Sequence, residues 1–237
     1  MTDRTADAPV SEELRARALA EGRRQLVERG ALGLDQTGVA DALAVDPAEL
    51  DRLFPGRHDL LTALIVEAYD AMGDSAERAL AEAVESGLEP LQRWIAVARG
   101  VRGWSVANPH QYELIYGTTI PGYDAPPETM IAGARTAVAL LSVLHQAQSE
   151  GALVSRPDDA PPPAPVQTAV RGLSEGMMAG LPDDVIARTL IAWTQLFGMV
   201  SFSVFGHIAA FGDDPVAFCD HAADAMGRYV GLQPTAG

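Results

Sequence analysis

Apolar residues recur three and four positions apart along almost the whole chain, and hardly any β-branched run alternates in the two-residue rhythm of a strand. That spacing restricts the fold to packed helices. Ser11, followed by Glu12 and Glu13, opens the first helix, whose inner face is Leu14, Ala18, Leu19, Leu26 and Val27 and whose stop is Gly30. A short helix follows over 36–43. After the turn Ala44-Val45-Asp46, Asp46 as N-cap and Pro47 at the first helical position start another, which runs to Phe54. The Pro55-Gly56 pair ends it. A long helix beginning near Arg57 carries Leu60, Leu61, Leu64, Ile65, Ala68 and Met72 on one face and reaches the Glu85-Ser86-Gly87 break. Beyond it the spacing predicts helices over 90–107, 109–117, 127–151, 166–180, 182–211 and 215–230, with five prolines between 156 and 165 forming an extended loop. With 237 residues, 48% of them hydrophobic, such a set can bury a sizeable core.

Charge and cysteine content narrow the partners. Acidic residues outnumber basic ones 32 to 17, every basic residue is Arg, and the net charge is −15, so the chain as a whole does not attract a polyanion. The single Cys219 can form neither an intrachain disulfide nor a cysteine metal site, and packing is its expected role. The stretch MTDRTADAPVSEE carries acids and no apolar run, which argues against a secretory signal and for a cytoplasmic address. Thr189 to Phe211 is uncharged and long enough to span a bilayer. Its Thr, Gln and Ser residues and the acidic Asp213-Asp214 pair that follows favour a core or oligomer-interface helix over a membrane span.

Two short helices separated by a three-residue turn, preceded by a longer one, form a helix-turn-helix arrangement. Within it, Leu53-Phe54-Pro55-Gly56-Arg57-His58-Asp59-Leu60-Leu61 closes the motif, and Arg29-Gly30 and Val39-Ala40-Asp41-Ala42-Leu43-Ala44-Val45 precede it. These segments resemble the DNA-binding domain of TetR-family regulators. Asn108 to Gly117, Ile120 to Pro126 and Trp193 to Gly198 are similar to a WHG-like ligand-domain branch of the same family, with Phe197 where a His is sometimes found. The resemblance implies an all-α fold. It places a helix-turn-helix domain at 1–58, with a larger helical ligand-binding and dimerisation domain at 59–237. It further implies a homodimer joined through the helices over 166–180 and 182–211, an apolar or amphipathic small-molecule ligand, and DNA contacts at Thr37, Arg52, Arg57 and His58.

One departure bears on DNA. The family usually has Tyr after the leucine of its recognition helix, donating to a phosphate; here Leu50 is followed by Asp51. Between Ala31 and Asp59, six carboxylates face two arginines, Arg52 and Arg57. Phosphate neutralisation supplies nearly all non-specific DNA affinity, so this composition disfavours DNA, with Arg23, Arg24 and Arg29 on the first helix able to compensate in part.

The second domain collects large aromatic and sulfur side chains. Trp104, His110, Tyr112, Tyr116, Tyr123, Met177, Met178, Trp193 and Phe197 suit an apolar cavity with a few polar handles, and core packing is the competing reading of each. Tyr112 and Tyr116, four apart, point together. If the chain is an enzyme, His110 and Glu113 form the candidate acid–base couple and Tyr116 the proton donor, against the plainer reading of a surface pair. No metal-binding spacing and no phosphate loop occurs, so no metal or cofactor is called for. Two functions follow: a ligand-responsive transcriptional regulator, or a TetR-fold descendant that has lost DNA and uses its pocket as a carrier or cofactor-independent enzyme for an apolar natural-product intermediate.

Overall fold

A computed structural model of the protein describes residues 7–117, 119–156, 162–211 and 214–234, with only the backbone given for 7–10, 210 and 211. Ten α-helices and no strand are found among them. They are α1 (Asp7–Arg29), α2 (Gln36–Leu43), α3 (Pro47–Leu53), α4 (Arg57–Glu85), α5 (Pro90–Ala107), α6 (Pro109–Tyr116), α7 (Pro127–Ser149), α8 (Ala164–Ser174), α9 (Asp183–Val204) and α10 (Pro215–Val230). Pro occupies the first turn of several, where its missing N–H is not needed.

Two expected helices end early. The helix expected over 166–180 stops at Ser174, because Gly176 and Gly180 follow and Gly180 takes a left-handed φ of 87°. The one expected over 182–211 stops at Val204, where Gly206 (φ 79°) breaks it before a 3₁₀ turn at His207–Phe211. Of the proline-rich stretch expected as an extended loop, 157–161 lies outside the described residues, and Ala164 and Pro165 open α8 instead. Among the described residues two helices, Pro127–Ser149 and Asp183–Val204, are by length and composition apolar enough to cross a membrane, and in each 44% of the most apolar stretch is buried within the protein.

The chain packs as two compact units. The first comprises Met1–Ala71 and Asn108–Gly133, the second Met72–Ala107 and Ala134–Gly237, so α4 and α7 each continue from one into the other. In the first unit a single hydrophobic cluster joins Ala18 and Leu26 of α1, Val39 and Ala40 of α2, Leu50 of α3, Phe54, and Leu60, Leu61, Leu64 and Ile65 of α4 to Leu114 of α6. In the second unit α5, α9 and α10 pack on one another and α8 lies on α9. Gly227 lets α10 approach α5 closely there: a Cβ would sit 2.6 Å from Leu91 Cδ1 and 3.0 Å from the Trp94 ring.

Candidate functional site

The helix-turn-helix is held by short local bonds. Asp35 caps α2 by accepting from the Thr37 amide at 3.1 Å, and Asp46 caps α3 by accepting from the Ala48 amide at 2.9 Å. Between them Ala44 adopts φ 52°, a left-handed turn that lets the chain double back. The Gln36 amide donates to Asp51 Oδ1 at 2.8 Å and to the Phe54 carbonyl at 2.7 Å, tying the start of α2 to the end of α3. Arg57 donates to the carbonyls of Ala31 at 2.6 Å and Leu34 at 2.9 Å, which fixes the loop before α2. Of the residues expected to meet DNA, Thr37, Arg52 and His58 are exposed and Arg57 is half-buried on these carbonyls. His58 meets the edge of Tyr123, with ring centres 5.9 Å apart.

Two of the three arginines expected to offset the acids of this motif are themselves paired. Arg23 bonds Glu67, and Arg24 bonds both Glu21 and Glu28. The Arg24 guanidinium holds the Glu21 carboxyl below its ordinary range. Arg29 and Arg52 form no ion pair among the described residues.

Within the same unit, α4, α6, the segment after α6 and the start of α7 line a solvent-open cavity of about 460 Å³. Its wall includes Ile65 and Tyr69 from α4, Leu114, Ile115 and Tyr116 from α6, Ile120 and Tyr123, and Thr129, Met130 and Gly133 from α7; no charged side chain contributes. Tyr116 stacks on the fully buried Tyr112 with centres 5.3 Å apart and meets Tyr69 edge-on at 6.0 Å. The Tyr69 hydroxyl donates to the Ile115 carbonyl at 3.3 Å, and the Tyr123 and Thr62 hydroxyls share a bond of 2.9 Å. Burial, reinforced by the neighbouring tyrosines, pushes the Tyr69 and Tyr116 phenols up from their ordinary values, so both stay protonated. Ile65 and Leu114 are members of the cluster that forms the core of the helix-turn-helix, and Tyr69, Ile115, Ile120 and Tyr123 pack against it.

His110 and Glu113 lie elsewhere in this unit, on a smaller cleft of about 260 Å³ that also includes Arg29. No hydrogen bond or ion pair joins the two, and Glu113 is exposed. Tyr116 lines the other cavity. The remaining expected ligand residues, Trp104, Met177, Met178, Trp193 and Phe197, belong to the second unit. There Trp193 and Phe197 touch at 4.6 Å, Met178 is buried and Met177 is exposed. Tyr69, Thr129 and Gly133 were not expected in the site; the Ile65–Tyr69 spacing on one face of α4 was the signal available for the first.

The second unit holds a larger concavity of about 810 Å³ between α8 and α9. Its floor includes the buried Arg188, paired with Asp184 at 2.7 Å and donating to the Val230 carbonyl at 3.2 Å. Among the described residues no group of three His, Cys, Asp or Glu is placed to hold a metal.

A family model described as the tetracyclin repressor-like, C-terminal domain matches residues 94–226. The HTH-type transcriptional regulators Rv1816 of Mycobacterium tuberculosis and Mb1846 of Mycobacterium bovis are each 33% identical over 203 residues, covering 84% of this chain and 84% of theirs. Among solved structures, a protein of unknown function from Rhodococcus sp. RHA1 superposes with a TM-score of 0.68 at 21% identity, over 91% of this chain and 94% of that one. A TetR family transcription regulator from Marinobacter aquaeolei VT8 does so with 0.59 at 15% identity, over 92% and 97%.

Proposed function

The chain belongs to the TetR family of transcriptional regulators, and on that premise we propose that it is a homodimeric regulator whose ligand enters the tyrosine cavity. Regulators of this family act as dimers that bind small molecules and DNA. The observation that carries the reading is the shared wall: Ile65 and Leu114 belong both to the cavity and to the hydrophobic core under α1, α2 and α3. A ligand filling the cavity has to move or stiffen side chains on which the reading head rests. It shifts DNA affinity only by the difference between its affinities for the DNA-competent and the DNA-incompetent arrangements. Tyr123 is the shortest connection, since it lines the cavity, bonds Thr62 and touches His58 one residue from the Arg57 anchor.

The dimer forms through α8 and α9. Ile191, Phe202 and Phe205 are each about half exposed, and a Cβ on Gly198 would meet nothing within 4 Å, so this face is apolar and open to a second helix pair. Light scattering should return about twice 25.0 kDa. Such a regulator works in the cytoplasm, where the chromosome is.

A second reading is favoured by one observation, the pairing of Arg23 and Arg24 within the protein, which leaves the acidic helix-turn-helix with little free positive charge. In this reading the fold binds its small molecule without DNA, as a carrier or a cofactor-independent enzyme. Gel shifts with fragments flanking the gene, repeated with ligand extracted from producing cells, separate the two. A sequence-specific complex released by the extract supports the regulator, whereas no complex with any fragment supports the DNA-silent form.

A further inference from the structure

We infer that the tyrosine cavity selects an uncharged, flat aromatic molecule bearing hydrogen-bond acceptors, and rejects anions and cations of the same shape; the assignment rests on the ligand site proposed above. Three features of the wall carry it. First, rings supply much of the surface: Tyr69, Tyr116 and Tyr123 line it, with Tyr116 stacked on the buried Tyr112 and edge-on to Tyr69, and aromatic rings pack on one another at separations of about 4.5–7 Å. Second, no Arg, His, Asp or Glu lines the cavity. A carboxylate or ammonium entering it would give up part of its water and find no opposite charge in the wall to replace it.

Third, the polar groups of the wall are hydroxyls. Burial keeps the Tyr69 and Tyr116 phenols protonated, so they present O–H groups and never a phenolate that could hold a cation. The Tyr69 hydroxyl is only loosely occupied, 3.3 Å from the Ile115 carbonyl, and can turn to a ligand oxygen without leaving a strong bond. Carbonyl or ether oxygens on the ligand are the complement of such donors. A volume of about 460 Å³ accommodates a molecule of two or three fused rings.

Four probes that share a naphthalene frame test the assignment: 2-acetylnaphthalene, 2-ethylnaphthalene, 2-naphthoate and 2-naphthyltrimethylammonium, titrated calorimetrically into the full chain without DNA. The acetyl compound is expected to bind about three- to tenfold tighter than the ethyl compound, the worth of one hydrogen bond. Both charged probes should bind at least about tenfold more weakly than the acetyl compound. Tyr69→Phe should remove the preference for acetyl over ethyl. Gly133→Leu should abolish binding by crowding the cavity beside Tyr69, since a Cβ there already lies 3.4 Å from the Tyr69 ring. Tighter binding of either charged probe, an acceptor preference that survives Tyr69→Phe, or no binding of the neutral probes at millimolar concentration would overturn the assignment. Because DNA is absent, these outcomes are independent of regulation: a neutral ligand that binds as described yet never alters a DNA complex overturns the regulator reading alone.

Discussion

In the reading head Asp35, Asp46, Gln36 and Arg57 each hold a backbone group, whereas the cavity in the same unit is walled by tyrosine rings and carries no charge. The two regions share apolar residues and differ in how their polarity is satisfied. The head is fixed by bonds among its own residues between 31 and 57, made whether or not a ligand is present. The cavity leaves space and one loosely held hydroxyl, that of Tyr69, so its wall is less firmly tied than the head. A head that is rigid in itself and rests on an adjustable wall can be shifted as a body, which is what ligand control of DNA affinity requires.

The largest effect expected from breaking this contrast is on stability. Phe54 is buried at the end of α3 with the Arg15 guanidinium 5.0 Å above its ring, and Phe54→Ala should cost about 3–5 kcal/mol in denaturant unfolding. Tyr116→Phe, at the cavity, should cost less than about 1.5 kcal/mol. Equal losses would remove the distinction between a packed head and an adjustable wall.

Charge provides the next test. Asp51→Tyr removes a carboxylate and restores a phosphate donor, so DNA affinity measured by anisotropy should rise about tenfold near physiological salt. An unchanged affinity would mean that position 51 does not face DNA. The Gln36 bond to Asp51 is lost at the same time, but Gln36 keeps the Phe54 carbonyl, and the fold should persist.

The second unit offers a contrast in pH response. Burial alone would raise the Asp184 carboxyl, but bonds from the Arg156 amide, the Ser155 hydroxyl and the Arg188 guanidinium outweigh it and hold the group below its ordinary value. A carboxyl depressed in the folded state contributes stability that is present above its unfolded value and lost as the pH falls through the folded one. Melting temperatures of the wild type should therefore fall below about pH 4 more steeply than those of Asp184→Asn. Parallel curves would show that this node does not contribute to acid sensitivity.

The smallest expected change is at the turn of the helix-turn-helix. Ala44 bears a left-handed φ that glycine adopts without strain, so Ala44→Gly should stabilise by up to about 1 kcal/mol, read as a small rise in midpoint.

What was legible in the sequence followed from local rules. Asp46 with Pro47 marked the start of α3, and Tyr112 with Tyr116 announced a stacked pair, because both signals lie within one or two turns. The pairing of Arg24 with Glu21 and Glu28 was available from spacing, but that of Arg23 with Glu67 was not, since 44 residues separate them. Tyr69 and Gly133 reach the cavity from α4 and α7, and no local pattern announces a cavity built from helices far apart in the chain. His110 and Glu113 illustrate the opposite failing: a three-residue spacing puts both on one cleft without bonding them.

The central claim is that occupancy of the tyrosine cavity is felt by the reading head, and amide hydrogen exchange tests it without a known ligand or operator. Gly133→Leu fills the cavity from α7 and stands in for a bound molecule. Exchange of the wild type and this variant should differ at residues 112–133, where the filling occurs, and also at 35–54, through Ile65, Leu114 and Tyr123. A difference confined to 112–133, with 35–54 exchanging identically in both proteins, would contradict the claim.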